Sequence, residues 1–227
     1  MNLHLHLLSS AIGRKALVAS TGVIMLLFVL AHLFGTLSVL SGPNVINAYA
    51  QVLQSLGPLL AIFRAVMAFV LILHVTLAVA VTLENRKTKS GLYAVKRMGS
   101  ATFAGETMIW SGLLLLAFII CHVLQFALHA TPDVVVQPDA QGRMDVFTMM
   151  RESLRLAPVS AAYILSVATL FLHLFHGIPS VFQTVGLLNE KTRPVFRIVG
   201  LALSVFFLLG FGTIPLLAFM GGGVFGR

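Results

Sequence analysis

Charged residues are scarce in this chain. They make up 10% of its 227 residues, against 58% hydrophobic residues, so the chain lacks the polar surface of a soluble globular protein. It has one cysteine, Cys121, which excludes an internal disulfide and a metal site of the CxxC type. The scarcity of charge therefore points to an integral membrane protein.

Long apolar stretches account for most of the sequence. A helix needs about 20 apolar residues to cross about 30 Å of hydrocarbon. Five stretches meet this requirement, at about 16–40, 59–83, 107–128, 158–182 and 195–219. They predict an all-α integral membrane protein in which five transmembrane helices form one bundle, a single domain over residues 1–227.

The basic residues between the spans are unevenly distributed. One side of the predicted bundle carries ten of them: Arg14, Lys15, Arg86, Lys87, Lys89, Lys96, Arg97, Lys191, Arg193 and Arg197. The other side carries five: Arg64, Arg143, Arg151, Arg155 and Arg227. Because Lys and Arg favour cytoplasmic loops, we expect a cytoplasmic N-terminus and an external C-terminus. This topology accounts for the net charge of +8, so the basic residues are no evidence of nucleic-acid binding. The basic face suits either anionic lipid or a docked soluble partner.

The longest connection outside the spans, 130–157, has helical periodicity. Phe147, Met150 and Leu154 recur at helical spacing with charged residues opposite, which predicts a short helix in the membrane interface. It would be either a lid over the outer end of the bundle or a simple connector. The fifth span has no ionisable residue in its middle, so we assign it a packing role.

Four histidines lie deep inside four different spans: His32, His74, His122 and His173. We take residues 15, 84, 105 and 184 as one membrane edge and about 1.5 Å of rise per residue. His32 and His122, the outer pair, then lie about 25 Å from that edge, and His74 and His173, the inner pair, about 15–17 Å from it.

Two imidazoles that face each other can hold one haem iron from both sides in a six-coordinate centre suited to electron transfer. The outer and inner pairs therefore predict two haem sites at two membrane depths. A single membrane histidine is more often a hydrogen-bonded interior residue, but four of them, one per helix and matched in depth, favour ligation. Small residues beside His32, Gly22 and Gly35, would leave room for a flat macrocycle.

Other polar residues are weaker candidates. His176 lies one turn from His173 and is an alternative inner ligand; we prefer His173, with His176 beside a haem propionate or a quinone. Further candidates for quinone or propionate contacts lie at the expected cytoplasmic end, where interfacial anchoring is the alternative role: Ser9, Ser10, Arg14 and Trp110.

Several segments, in this order, resemble one family. They are SSAIGRK at 9–15 with TG at 21–22, NAYA at 47–50, TLENR at 82–86, TMIWSG at 107–112, LHLFHG at 172–177 and FQTVGL at 182–187. Together with the four histidines, they resemble the cytochrome b membrane anchor subunit of succinate dehydrogenase and fumarate reductase, in its single-chain, five-helix, two-haem type. The resemblance spans nearly the whole chain.

The resemblance implies a function and a set of partners. His74 and His173 would hold a proximal haem b near the cytoplasm, and His32 and His122 a distal haem b. The chain would sit in a bacterial cytoplasmic membrane and pass electrons between a cytoplasmic iron–sulfur subunit and a membrane quinone, with menaquinone expected. Succinate chemistry would belong to a flavoprotein subunit, because this chain has neither a dinucleotide fingerprint nor the cysteines of an iron–sulfur cluster.

Two other classes of protein stay open. One is a haem b quinone-reactive anchor of another respiratory dehydrogenase, although cytochromes of the bc type place two ligands on each of two helices. The other is a small membrane transporter with structural histidines, which would be colourless when purified.

Overall fold

The computed structural model describes residues 10–89 and 103–226, which form seven α-helices. These are α1 (Ala11–Leu37), α2 (Pro43–Ser55), α3 (Pro58–Lys89), α4 (Phe103–His122), α5 (Val146–Arg155), α6 (Ala157–Thr184) and α7 (Arg193–Met220). A short 3₁₀-helix follows α1 at Ser38–Ser41, and another follows α7 at Gly223–Gly226. A π-helical segment, Val123–Ala127, continues α4. No strand occurs in these described ranges.

Five helices are long and apolar enough to cross a membrane. Their candidate spans are Ala11–Ser41, Pro58–Asn85, Thr107–Ala127, Ala157–Thr184 and Arg193–Gly226. Each overlaps one of the five stretches predicted from the sequence. The predicted fold class is confirmed: the chain is an all-α, multi-pass membrane protein.

Local chemistry sets several helix ends. The Ser10 hydroxyl oxygen accepts a hydrogen bond from the Gly13 N–H at 3.0 Å and caps α1. Prolines occupy the first turns of α2, α6 and α7, where their missing N–H has no helical partner to lose. At the other end of α7, Gly221 adopts a left-handed conformation with φ 61°, which ends the helix.

The spanning helices pack as two pairs joined by α7. Helix α1 packs along α3 and α4 packs along α6, while α7 lies against both α6 and α1. Glycines permit the close approaches of α7: Gly200 faces Pro179 of α6, and Gly210 faces Leu33 of α1, whose Cδ1 would lie 2.8 Å from an added Cβ. The packing role predicted for this helix agrees with these contacts.

The two short helices, α2 and α5, cover one end of the bundle, which we call the cap end. Their buried apolar side chains form one cluster with the ends of α1 and α7: Val39, Ile46, Phe147, Met150, Leu154, Ile214, Ala218 and Phe225. Phe147 is 4% exposed and Leu154 2% exposed. The short helix predicted within the connection 130–157 is present as α5, but its apolar face packs on protein because the bundle itself offers an apolar end.

Asn47 of α2 ties the cap to the long connection. Its Nδ2 donates to Asp139 Oδ2 and to Asp145 Oδ1, each at 3.1 Å, and its Oδ1 accepts from the Phe147 N–H at 3.0 Å. Asn47 is 1% exposed, so these bonds form out of water. The Arg143 guanidinium lowers the pKa of Asp139 to about 2, which keeps that acceptor ionised at neutral pH.

We predict that Asn47→Ala destabilises the protein. The substitution leaves the buried Phe147 N–H without its acceptor and both carboxylates without one donor, a loss of about 2–4 kcal/mol. Thermal unfolding in detergent, together with proteolysis of 130–157, measures the effect. Asn44→Ala, on the exposed first turn of the same helix, is the matched control, and an equal loss in both variants would contradict the assigned role.

Candidate functional site

The outer pair meets in the bundle. The ring centroids of His32 on α1 and His122 on α4 lie 5.8 Å apart, with the ring planes at 79°. Both residues are partly buried. Two imidazoles from separate helices therefore face one another, as their matched depths in the sequence predicted.

Aromatic side chains surround the outer pair. Phe28 stacks on the His32 ring with centroids 5.7 Å apart, and Phe211 of α7 lies 5.9 Å from it. On the opposite side, Phe118 and Phe126 lie 5.7 and 5.8 Å from the His122 ring. Helix α7 thus supplies a wall of the outer site, a role that the sequence did not predict.

Each histidine of the inner pair is hydrogen-bonded to the neighbouring helix of its own pair. His74 Nδ1 on α3 lies 3.0 Å from the Thr21 hydroxyl on α1. His173 Nδ1 on α6 lies 3.1 Å from the Ser111 hydroxyl on α4.

The direction of these bonds follows from the hydroxyls. Thr21 donates its proton to the Leu17 carbonyl at 2.7 Å, and Ser111 donates to the Met108 carbonyl at 2.9 Å. Each hydroxyl oxygen is then an acceptor for the imidazole, so Nδ1 carries the proton. Nε2 is left with its lone pair, which is the form of histidine that binds a metal.

A glycine beside each hydroxyl gives the imidazole room. A Cβ built on Gly22 would lie 3.3 Å from His74 Cε1, and one built on Gly112 would lie 3.3 Å from His173 Cε1. Gly22 therefore accommodates an inner histidine, whereas the sequence placed it beside His32. Gly35 faces Tyr49 of α2, so it belongs to the cap.

The two halves of the site repeat a spacing that the sequence interpretation missed. Thr21-Gly22 precedes His32 by eleven and ten residues, and Ser111-Gly112 precedes His122 by the same intervals. Eleven residues are about three helical turns, so hydroxyl and histidine share one helix face. This repeated spacing is the signal that would have identified Thr21 and Ser111.

The other candidate residues do not gather at one place. Ser10 caps α1, Trp110 is 60% exposed on α4, and Arg14 forms an ion pair with Glu84 of α3 at 2.8 Å. His176 lies one turn beyond His173, against the Phe175 ring, and its buried Nδ1 has no well-formed hydrogen bond among the described residues. Ser9 lies outside the described residues.

The fold and composition define the class of the chain as an all-helical, multi-pass membrane protein. No family model, no curated protein and no solved structure matches the chain. Within the described residues, no three His, Cys, Asp or Glu side chains cluster as they would in an all-protein metal site. The histidines and the side chains that hold them are therefore the features that bear on function.

We predict that Gly22→Ala and Gly112→Ala perturb the inner pair. Alanine normally stabilises a helix relative to glycine by up to about 1 kcal/mol, but here the added Cβ pushes on an imidazole that a hydrogen bond holds in place. Gly212→Ala on α7 is the control, because its Cβ would lie 4.0 Å from Val167. Thermal unfolding should place both variants about 1 kcal/mol below the control; equal stability of all three would show that the inner rings are free to move.

Proposed function

We propose that this chain is a dihaem cytochrome b anchor that carries electrons across the membrane to or from a quinone. One observation carries the proposal: His32 and His122 meet from two different helices, and three of the four membrane histidines have Nδ1 hydrogen-bonded to a hydroxyl, so that Nε2 is available to iron. Structural histidines of a transporter would be hydrogen-bonded as well, but the meeting of His32 and His122 and the repeated spacing of hydroxyl, glycine and histidine on α1 and α4 favour ligation.

The residues present suit haem. The outer pair brings two imidazoles from separate helices together, with ring centroids 5.8 Å apart. The donor set of two neutral imidazoles per site is the one used by six-coordinate b-type haem, and haem needs only these two protein ligands.

A haem bound by such a pair of histidines would supply one-electron transfer. The chain's own residues keep each imidazole oriented and neutral. Thr21 and Ser111 hold the inner pair, and the aromatic rings around His32 and His122 exclude water from the outer pair. On α1 and α4, the outer histidines lie eleven residues, or about 16 Å, from the hydroxyls that hold the inner pair, so the two proposed haem sites would lie at different depths of the bundle.

The respiratory complex to which we assign the chain is proposed from its resemblance to the membrane anchors of succinate dehydrogenase and fumarate reductase. In that role the chain would be the membrane subunit of a respiratory complex II. A flavoprotein subunit would carry the succinate chemistry, and an iron–sulfur subunit would dock at the basic end of the bundle. Quinone would react at this chain, in the cytoplasmic membrane of a bacterium, with the N-terminus on the cytoplasmic side.

We predict that the four histidines lose haem in pairs. Purified wild type should show a reduced-minus-oxidised spectrum of b type with about two haems per chain. His32→Ala and His122→Ala should each remove the same haem, and the double variant should remove no more than either single one, because both ligate one iron. His74→Ala and His173→Ala should behave in the same way for the other haem.

The control for this series is His176→Ala, which should keep both haems. If His176→Ala loses a haem while His173→Ala does not, His176 is the inner ligand. If each single variant removes a different haem, or if wild type is colourless, the proposed pairing is wrong.

We predict that the chain co-purifies with a flavin-bearing subunit. Affinity purification of the tagged full chain from its native membrane, followed by assay of covalent or acid-extractable flavin and of succinate-dependent haem reduction, tests the finer proposal. Haem reduction by succinate is the expected result. Co-purification of a hydrogenase or formate dehydrogenase subunit would assign the chain to a different respiratory complex.

A further inference from the structure

A chain of hydrogen bonds connects His122, of the outer pair, to the cap end of the bundle. Its Nδ1 lies 2.9 Å from the Tyr163 hydroxyl on α6, and that hydroxyl donates to Gln125 Oε1 at 2.7 Å. Gln125 Nε2 in turn donates to the Asp133 carboxylate. We call these four residues, His122, Tyr163, Gln125 and Asp133, the polar relay.

Every bond in the polar relay has one possible direction. An ionised carboxylate only accepts, so Asp133 requires the amide N–H group of Gln125. The amide oxygen of Gln125 is then the atom that faces Tyr163, and it only accepts, so the tyrosine donates its proton to it. The tyrosine oxygen is left as an acceptor for His122, whose Nδ1 must carry a proton.

The ionised state of Asp133 is supported by its surroundings. Partial burial acts to raise the pKa of Asp133, but hydrogen bonds, the largest from Gln125, outweigh it and lower the pKa below its ordinary value of 3.8. The carboxylate therefore stays an acceptor throughout the neutral range.

The backbone is arranged to hold the relay. Gln125 lies in the π-helical segment, where the Leu128 N–H bonds the Val123 carbonyl at 2.9 Å, and it is 6% exposed. Such segments are rare and recur at functional sites, because the wider turn changes the direction of side chains. The Asp133 carbonyl accepts from the Ser153 hydroxyl at 3.1 Å, which fixes the carboxylate's segment to α5 of the cap.

Within residues 10–89 and 103–226, the inner pair shows no such connection. The hydroxyls of Thr21 and Ser111 donate into their own helices, so the bonds to His74 and His173 end there. The outer site differs in that its hydrogen bonds lead to a negative charge.

We propose that Tyr163, Gln125 and Asp133 are positioning residues for the outer site. They hold the proton of His122 on Nδ1 and so leave Nε2 free to bind iron. They also make His122 a more basic ligand. The inference rests on the proposed function and deepens it. A histidine that donates its second N–H to a carboxylate or to a group linked to one becomes a more basic ligand, which favours oxidised iron. The relay would therefore lower the reduction potential of a haem bound at the outer pair.

The test uses the full chain with both haems bound. In Tyr163→Phe, redox titration should show one of the two haem transitions shifted to higher potential, with a changed low-spin electron paramagnetic resonance signal from the same haem. That haem should be the one lost in His122→Ala. Its rate of transfer to apomyoglobin should rise about 10-fold, the usual lower effect of removing an outer-shell partner.

Gln125→Leu and Asp133→Asn should shift the same haem in the same direction by smaller amounts, and they carry the test if Tyr163→Phe does not fold. Ser166→Ala is the matched control, because this hydroxyl, on the same helix as Tyr163, bonds only the Ala162 carbonyl at 2.7 Å in the described structure. It should leave both transitions unchanged.

The outcomes separate the two proposals. If wild type binds two haems and Tyr163→Phe leaves both potentials and both resonance signals unchanged, or shifts both haems equally, the relay is wrong while the haem function stands. A shift in Tyr163→Phe without any in Gln125→Leu or Asp133→Asn overturns the part of the relay beyond the tyrosine. Wild type without haem overturns the proposed function, and the relay's role falls with it.

Discussion

The hydrogen bond between an imidazole and a hydroxyl on the adjacent helix is the interaction on which this structure depends. In a hydrocarbon environment a histidine must satisfy its polar nitrogens within the protein, since no water is available. Thr21, Ser111 and Tyr163 each satisfy one Nδ1 across a helix boundary. The same bonds join α1 to α3 and α4 to α6. Packing of each helix pair therefore also orients the histidines of that pair.

The cap end shows how the polar chemistry is continued outside the spans. Asn47 joins α2 to two aspartates of the long connection, and Ser153 joins α5 to a third. These bonds make the cap a fixed structure above the outer pair. A connection that the sequence left as either a lid or a linker is therefore a packed element whose position is coupled to the side chains below it.

Features that depend on composition and on helix periodicity could be predicted from the sequence. The five apolar stretches predicted the spans. Because the rise per residue of a helix is constant, the matched depths of His32 and His122 predicted that these two histidines meet. Thr21 and Ser111 were missed because hydroxyls in membrane helices usually bond their own helix, and here they do that as well. Gln125 was missed because the direction of its side chain depends on the π-helical segment, which no residue pattern in the sequence reveals. Ser10 was one candidate for a quinone or propionate contact; in the structure its hydroxyl caps α1.

The repeated spacing in α1 and α4 has a consequence for how the molecule is assembled. In the proposed function each haem would take one imidazole from the α1 and α3 half and one from the α4 and α6 half, while α7 has no counterpart. A polypeptide of half the length would carry two unmatched histidines and could complete a haem site only by dimerising. Because both halves are joined in one polypeptide, pairing of the histidines would be intramolecular, and formation of the two haem sites would be independent of protein concentration.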